Sequence, residues 1–355
     1  GTSAANSGDR YAYGAPTVTS LSPNAGPAAG QNTVTIGGTN FVTGMTVRFG
    51  TTASSAVTFV SGTKITAKAP AHAAGTVGVS VTNPAGTSPS SNADLYAYGA
   101  PAVTSLNPHS GSAAGGNIVT IGGTAFVPGA TVKFDSTAAS AVTFVSGTRL
   151  TAKAPAHTAG AVHVQVITPA GSSAAANESV YAFGAPIVTS LSPNAGPTGA
   201  GNTVTINGHG FAPGAVVQFG GTASSSVTFV SGSQLTAKAP AHSAGSLHVQ
   251  VHTAAGASAS SNGNLYAYGA PVVVSLSPNH GATTGQNTVT INGSGFVPGA
   301  AVKFGSVSST AVTFVGGGQI KAKAPARAAG SVDVRVHTPA GDSATAAGDH
   351  YTYGP

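Results

Sequence analysis

The chain has 355 residues, 41% apolar and only 6% charged, with 50 glycines, 22 prolines, one methionine and neither cysteine nor tryptophan. Charge this sparse excludes a coiled coil or helix bundle, which needs Glu, Lys, Leu and Ala at helical spacing. The lack of cysteine excludes disulfides and thiolate metal sites and fits an exported protein. The net charge of +6 comes from 13 Lys and Arg scattered among 7 acids, so no nucleic-acid partner is expected, and no apolar run nears 18 residues, so no membrane insertion is expected.

Residues 1–15 open on a polar stretch, GTSAANSGDR, in which no signal peptide is read, and close on Tyr11-Ala12-Tyr13-Gly14-Ala15. That closing string recurs as YAYGAP at 11–16, 96–101 and 266–271, as YAFGAP at 181–186 and as YTYGP at 351–355. The first tyrosines therefore fall 85 residues apart, at Tyr11, Tyr96, Tyr181, Tyr266 and Tyr351, the signature of a repeat architecture. Residues 1–15 read as the last strand of a truncated preceding repeat, followed by repeats 16–100, 101–185, 186–270 and 271–355. The chain reads as a piece of a longer array. The orphan strand has three open fates: disorder, packing on the first repeat, or addition to a neighbouring chain.

In the first repeat, 17–21 reads as a short strand ended by Ser22-Pro23-Asn24. Residues 33–36 alternate, with Val34 and Ile36 on one face, and Val47 and Phe49 alternate in the next strand. Strands over 57–60, 65–69, 77–81 and 95–98 follow. Seven short strands separated by Gly, Pro, Asn and Ser turns predict an all-β, two-sheet sandwich of immunoglobulin-like strand count. Phe41, Phe49 and Phe59, with the terminal tyrosines, are the expected core. In the sixth strand the valines hold from repeat to repeat while Gly78 and Ser80 become His163 and Gln165, His248 and Gln250, and Asp333 and Arg335, which reads as a fixed inner face and a drifting outer one.

Between repeats run Gly14-Ala15-Pro16, Gly99-Ala100-Pro101, Gly184-Ala185-Pro186 and Gly269-Ala270-Pro271. Proline fixes its own φ and restricts the residue before it, and a link this short is no random coil. These linkers are the candidate functional residues, and the expected product is a semi-rigid rod of sandwiches.

The order and spacing of Leu21, Pro23 and Gly26, then N-T-V-T-I-x-G at 32–38, Phe41, V-x-F-G at 47–50, I-T-A-K-A-P at 65–70 and a closing Tyr-x-Tyr resemble the IPT/TIG domain. The resemblance covers all four repeats. It implies an early immunoglobulin-like sandwich of the kind found in eukaryotic receptors and transcription factors and in bacterial secreted enzymes and surface proteins. Ala-, Gly- and Thr-rich, cysteine-free tandem copies look most like the bacterial exported kind. The fold does not fix a function.

Other chemistry is thinly supported. His248 and His252 share a strand face but stand about 13 Å apart at 3.3 Å per residue, too far to share an ion. The column His72, His157 and His242 becomes Arg327 in the fourth repeat and reads as solvent-facing loop. Asp94, Glu178 and Asp349 sit near equivalent positions, but Asn264 interrupts them and no D-x-D-x-D run offers calcium its oxygens. Lys68, Lys153, Lys238 and Lys323 hold one column and Asn32, Asn117, Asn202 and Asn287 another. A Lys–Asn isopeptide needs a recurring acid, which is missing, so the lysines read as strand residues that discourage edge pairing. No G-x-S-x-G elbow joins a strand to a helix, and the glycine-rich stretches precede strands, so they cradle no phosphate. No catalytic residue, cofactor or metal is expected.

The function expected is a non-catalytic structural segment of an exported bacterial repeat protein, at the cell surface or outside the cell: a stalk, spacer or self-assembling fibre. The expected partners are neighbouring repeats or further copies of the same protein. The alternative is a carbohydrate- or surface-binding accessory array of a secreted enzyme or adhesin.

Overall fold

The computed structural model describes residues 14–354; the orphan strand, with Tyr11 and Tyr13, lies outside them. The first repeat runs β1 (Thr17–Ser22), β2 (Ala25–Gly26), β3 (Thr33–Thr39), β4 (Thr46–Phe49), β5 (Thr52–Ala53), β6 (Val57–Ser61), β7 (Lys64–Lys68), β8 (Gly75–Asn83), β9 (Gly86–Thr87), a 3-10 turn (Asn92–Asp94) and β10 (Leu95–Tyr98). The seven expected strands are present, and β2, β5 and β9 are two-residue additions too short to leave a periodic signal. No helix among the described residues is long and apolar enough to cross a membrane.

One sheet has the order β1-β3-β7-β6 and the other β2-β10-β8-β4-β5, with β9 paired to β8. The chain changes sheets at Pro23-Asn24, so that β2 lies parallel to β10 while every other pairing is antiparallel. The same two sheets recur in all four repeats. The chain divides into two compact units, one carrying the first two sandwiches and the other the last two.

The core follows the alternation. Val34 and Ile36 of β3, Val47 and Phe49 of β4, Ile65 and Ala67 of β7 and Val79 and Val81 of β8 point inward with Phe41, Tyr96 and Tyr98. Phe49 meets Tyr96 edge to face with ring centroids 5.2 Å apart, and Tyr96 meets Tyr98 at 4.9 Å, the arrangement aromatic quadrupoles favour.

Two expectations change. Phe59, and likewise Phe229 and Phe314, is only partly buried and packs on the core from β6 or its equivalent, because that strand forms the margin of the sandwich. The lysine column does not guard an edge: β7 lies between β3 and β6, so Lys68 and its counterparts project from the outer face of an interior strand.

Candidate functional site at the repeat junctions

The junction begins where β10 ends. Gly99, Gly184 and Gly269 each take a left-handed φ of +74° to +76°, and a Cβ on Gly99 would lie 3.2 Å from that of Ala74. Gly99 N–H also donates to the Gly26 carbonyl at 2.8 Å, and Gly269 N–H to that of Gly196 at 2.8 Å. The alanine that follows is exposed in Ala100, Ala185 and Ala270, and the proline is buried in Pro101, Pro186 and Pro271. The stretch Gly14-Ala15-Pro16 is held from its following repeat: Asn83 Nδ2 donates to the Gly14 carbonyl at 3.1 Å and Asn40 Nδ2 to the Ala15 carbonyl at 3.0 Å.

Beside Gly99-Ala100-Pro101 and Gly269-Ala270-Pro271, inside each unit, the sandwiches touch directly. Between repeats 1 and 2, Asn24 Nδ2 donates to the Pro128 carbonyl at 2.8 Å and Thr76 Oγ1 to the Phe126 carbonyl at 3.1 Å. Ala25, Ala97, Ala125 and Val127 close over one another there, with Ala170 at their margin. An open groove of about 360 Å³ runs alongside, bordered by Thr19, Leu21, Asn24, Leu95 and Pro128. Between repeats 3 and 4 the same columns act again. Asn194 Nδ2 reaches the Pro298 carbonyl at 2.7 Å, Ser246 Oγ reaches the Phe296 carbonyl at 3.4 Å, and Ala195, Ala267 and Val297 pack together. In repeat 2 these two donor columns hold His109 and Ala161. Alanine has no hydroxyl to give, and burial holds the His109 imidazole below its usual range.

The sequence pointed to the linkers but not to Asn24, Asn194, Thr76 or Ser246. Their acceptors are backbone carbonyls, which leave no mark on sequence. The available signal was the repetition of the donors 170 residues apart and their replacement in the intervening repeat.

The other columns are absorbed by packing. Asn32, Asn117, Asn202 and Asn287 each donate Nδ2 to the hydroxyl of Tyr96, Tyr181, Tyr266 and Tyr351, at 2.5–2.6 Å. Burial pushes the hydroxyls of Tyr96, Tyr181 and Tyr266 up from their ordinary range, opposed by this bond. Gly26 must be glycine for the same reason: a Cβ there would meet the Tyr96 hydroxyl and crowd the Asn32 amide at 2.8 Å. The asparagines are thus partners of buried tyrosines and are not presented to the lysines. All seven described tyrosines are buried. His72 and His242 stack on Tyr98 and Tyr268 at 5.0 and 5.2 Å. They roof the aromatic core and are not free loop residues, and Arg327 in their column donates to the Phe304 carbonyl at 2.9 Å.

The outer face of β8 is also less free than it looked. Its drifting column faces a residue sixteen positions on: His163 Nδ1 lies 3.0 Å from Ser179 Oγ and His248 Nδ1 2.7 Å from Asn264 Oδ1. In repeat 1 the pair is Gly78 and Asp94, whose carboxyl burial pushes upward.

The model of the IPT/TIG domain matches residues 16–98, 101–181, 186–268 and 271–353. No curated protein sequence matches the chain. Among solved structures the chain is similar to two of the plexin A4 extracellular region. One is 14% identical with TM-score 0.30, over 91% of this chain and 36% of that one; the other is 12% identical with TM-score 0.31, over 96% and 48%. It is also similar to SGBP-B from a complex xyloglucan utilization locus in Bacteroides uniformis, at 18% identity and TM-score 0.30, over 66% of this chain and 62% of that one. The chain thus spans less than half the length of the two plexin chains.

Proposed function

The chain belongs to the IPT/TIG domain family, and we propose that it is a non-catalytic spacer within an exported, extracellular or surface-held bacterial protein, its partners being neighbouring repeats of the same protein. One observation carries this reading. The tyrosines, asparagines and apolar residues kept from repeat to repeat go into the aromatic core and the Asn–Tyr bonds, while the outward column of β8 and its equivalents changes from Gly78 to His163, His248 and Asp333. A spacer needs that distribution: constraint on packing, with less on most of the outer surface. A sugar-stacking platform needs exposed rings, and the seven described tyrosines are interior.

The reading is tested by pulling single chains. Each repeat should give its own unfolding step, with a contour gain on the order of 30 nm for 85 residues at about 3.5 Å each. The same purified chain should retain no polysaccharide on a glycan array. Saturable glycan binding would replace the spacer by the accessory-array reading.

The fibre variant is favoured by a second observation. Val60, Val145, Val230 and Val315 are 42–52% exposed on β6 and its equivalents, each at the margin of its four-stranded sheet. A repeated apolar residue on an open strand, with few charges to oppose pairing, suits side-by-side association of copies. Sedimentation velocity tests it: mass should rise with concentration, and replacing all four valines with lysine should abolish the rise.

A further inference from the structure

We propose that Asp333, Asp349 and His350 form a divalent-cation site in the fourth repeat, suited to Zn²⁺, that ties its last strand to the strand beside it. One ligand atom from each residue lies within 4.8 Å of the other two. Asp333 stands on the strand Gly330–Thr338 and His350 opens the strand His350–Gly354; the two are direct partners across that antiparallel pair. Asp349 ends the 3-10 turn that leads into the last strand.

The buried carboxylate is the observation that points to a ligand. Asp349 is fully buried, yet only Oδ2 is used, accepting from Ala346 N–H at 2.9 Å. Oδ1 has no hydrogen-bond partner and lies 3.9 Å from His350 Nδ1. An orphaned carboxylate oxygen out of water is costly, and a second acid beside it raises that cost unless positive charge intervenes. His350 Nδ1 is 2.8 Å from Asp333 Oδ1. Zinc bonds of about 2.0–2.2 Å to nitrogen and oxygen place tetrahedral ligand atoms roughly 3.4 Å apart. The separations of 2.8 and 3.9 Å bracket that value. The adjustment falls to Asp333 and His350, whose side chains are 36% and 56% exposed, while Asp349 stays anchored by its cap. Two carboxylates and one imidazole are too few oxygens for calcium and suit zinc. A fourth position is left to solvent on the side where Asp333 borders a groove of about 380 Å³ that Lys303 and Arg335 also line.

The other repeats show what the site replaces. The three columns hold Gly78, Asp94 and Leu95 in repeat 1, His163, Ser179 and Val180 in repeat 2, and His248, Asn264 and Leu265 in repeat 3. Asp94 leaves its Oδ1 equally unpartnered in repeat 1, so what sets repeat 4 apart is the approach of Asp333 and His350 to that oxygen, and among the described residues only there do three ligand atoms gather. The expectation of no metal took the acids one at a time along the sequence; the fold brings Asp333 beside Asp349 across a strand pair.

The test is calorimetric titration of Zn²⁺ into the chelator-stripped full chain at neutral pH, alongside Asp349→Asn, His350→Leu and His337→Ala. The first two variants install residues the fold already accepts: Asn264 caps the same turn in repeat 3, where Ser261 N–H donates to its Oδ1 at 3.0 Å, and leucine fills the His350 column in repeats 1 and 3. One equivalent should bind the wild type, at least tenfold more weakly in each of those two, and unchanged in His337→Ala, which removes the separate exposed His337–Asp342 pair. Three results overturn the proposal: no zinc uptake by the wild type, the triad then being an ion pair alone; uptake that survives Asp349→Asn and His350→Leu; or uptake abolished by His337→Ala.

Discussion

Inside the first repeat, Phe49, Tyr96 and Tyr98 meet edge to face with centroids 4.9–6.4 Å apart. At the seam with the second repeat the closing residues are Ala25, Ala97, Ala125 and Val127, fixed by two side-chain bonds to backbone carbonyls. The interior buries large rings; the seam buries methyl groups. Burial contributes roughly 25 cal/mol per Å², so each sandwich supplies most of its own stability, and the seam adds a small coupling that fixes orientation. An array built this way behaves as a chain of stable units with weak nearest-neighbour terms. The lesson carries to the second unit, where Asn194, Ser246 and Val297 repeat the seam with only small changes.

The sharpest way to break the comparison is in the interior. Phe49→Ala should cost its own repeat about 3–5 kcal/mol, the usual range for truncating a buried phenylalanine. Scanning calorimetry should then resolve an early transition for one repeat while the other transitions hold. A uniform downward shift of the whole endotherm would mean that the seams couple the repeats far more strongly than alanine contacts allow. A smaller interior effect comes from Tyr96→Phe. It keeps the ring contacts and removes the hydroxyl, leaving the part-buried Asn32 amide without the partner it holds at 2.6 Å. The cost should be about 1–2 kcal/mol, read as a lower urea midpoint at unchanged slope.

The interior was legible because its signal is periodic. Val34 with Ile36 and Val47 with Phe49 announce an inward face two residues at a time, and four copies of the same pattern remove the ambiguity of a short strand. Strands of two residues, such as β2 and β5, have no period to show. The seam was half legible: Gly-Ala-Pro marks a constrained link, yet the bonds that orient the sandwiches run from Asn24 and Thr76 to carbonyls of Pro128 and Phe126, 104 and 50 residues away. Residue identity on the accepting side is irrelevant to such a bond. The Asp333–Asp349 approach was hidden similarly, since it depends on His350, seventeen residues on, pairing with Asp333 across two strands, which becomes visible only once register is known.

At the seam itself, Asn194→Ala should have a smaller effect than either interior change. It removes one neutral bond at 2.7 Å, worth about 0.5–1.5 kcal/mol, without opening a core cavity. The expected readout is looser coupling: the calorimetric midpoints of repeats 3 and 4 should move apart, by about 4–8 °C per kcal/mol lost for a domain of this size. A large fall in the midpoint of repeat 3 would show that Asn194 supports its own sandwich and not the seam.

The smallest effect expected distinguishes the two seams from each other. Thr76→Val keeps the side-chain shape and removes a hydroxyl donor at 3.1 Å, whereas Ser246→Ala removes one at 3.4 Å, near the limit of a useful bond. Each change removes one neutral bond to a backbone carbonyl and no ring contact, and the longer bond has the less to lose. Thr76→Val should therefore cost about 0.5 kcal/mol and Ser246→Ala less, measured as urea midpoints of two-repeat pieces spanning 16–185 and 186–355. If Ser246→Ala costs as much as Thr76→Val, distance does not set the strength of these bonds, and the two seams are energetically equivalent despite their different side chains. If both exceed Asn194→Ala, the hydroxyls and not the asparagines hold the sandwiches in register.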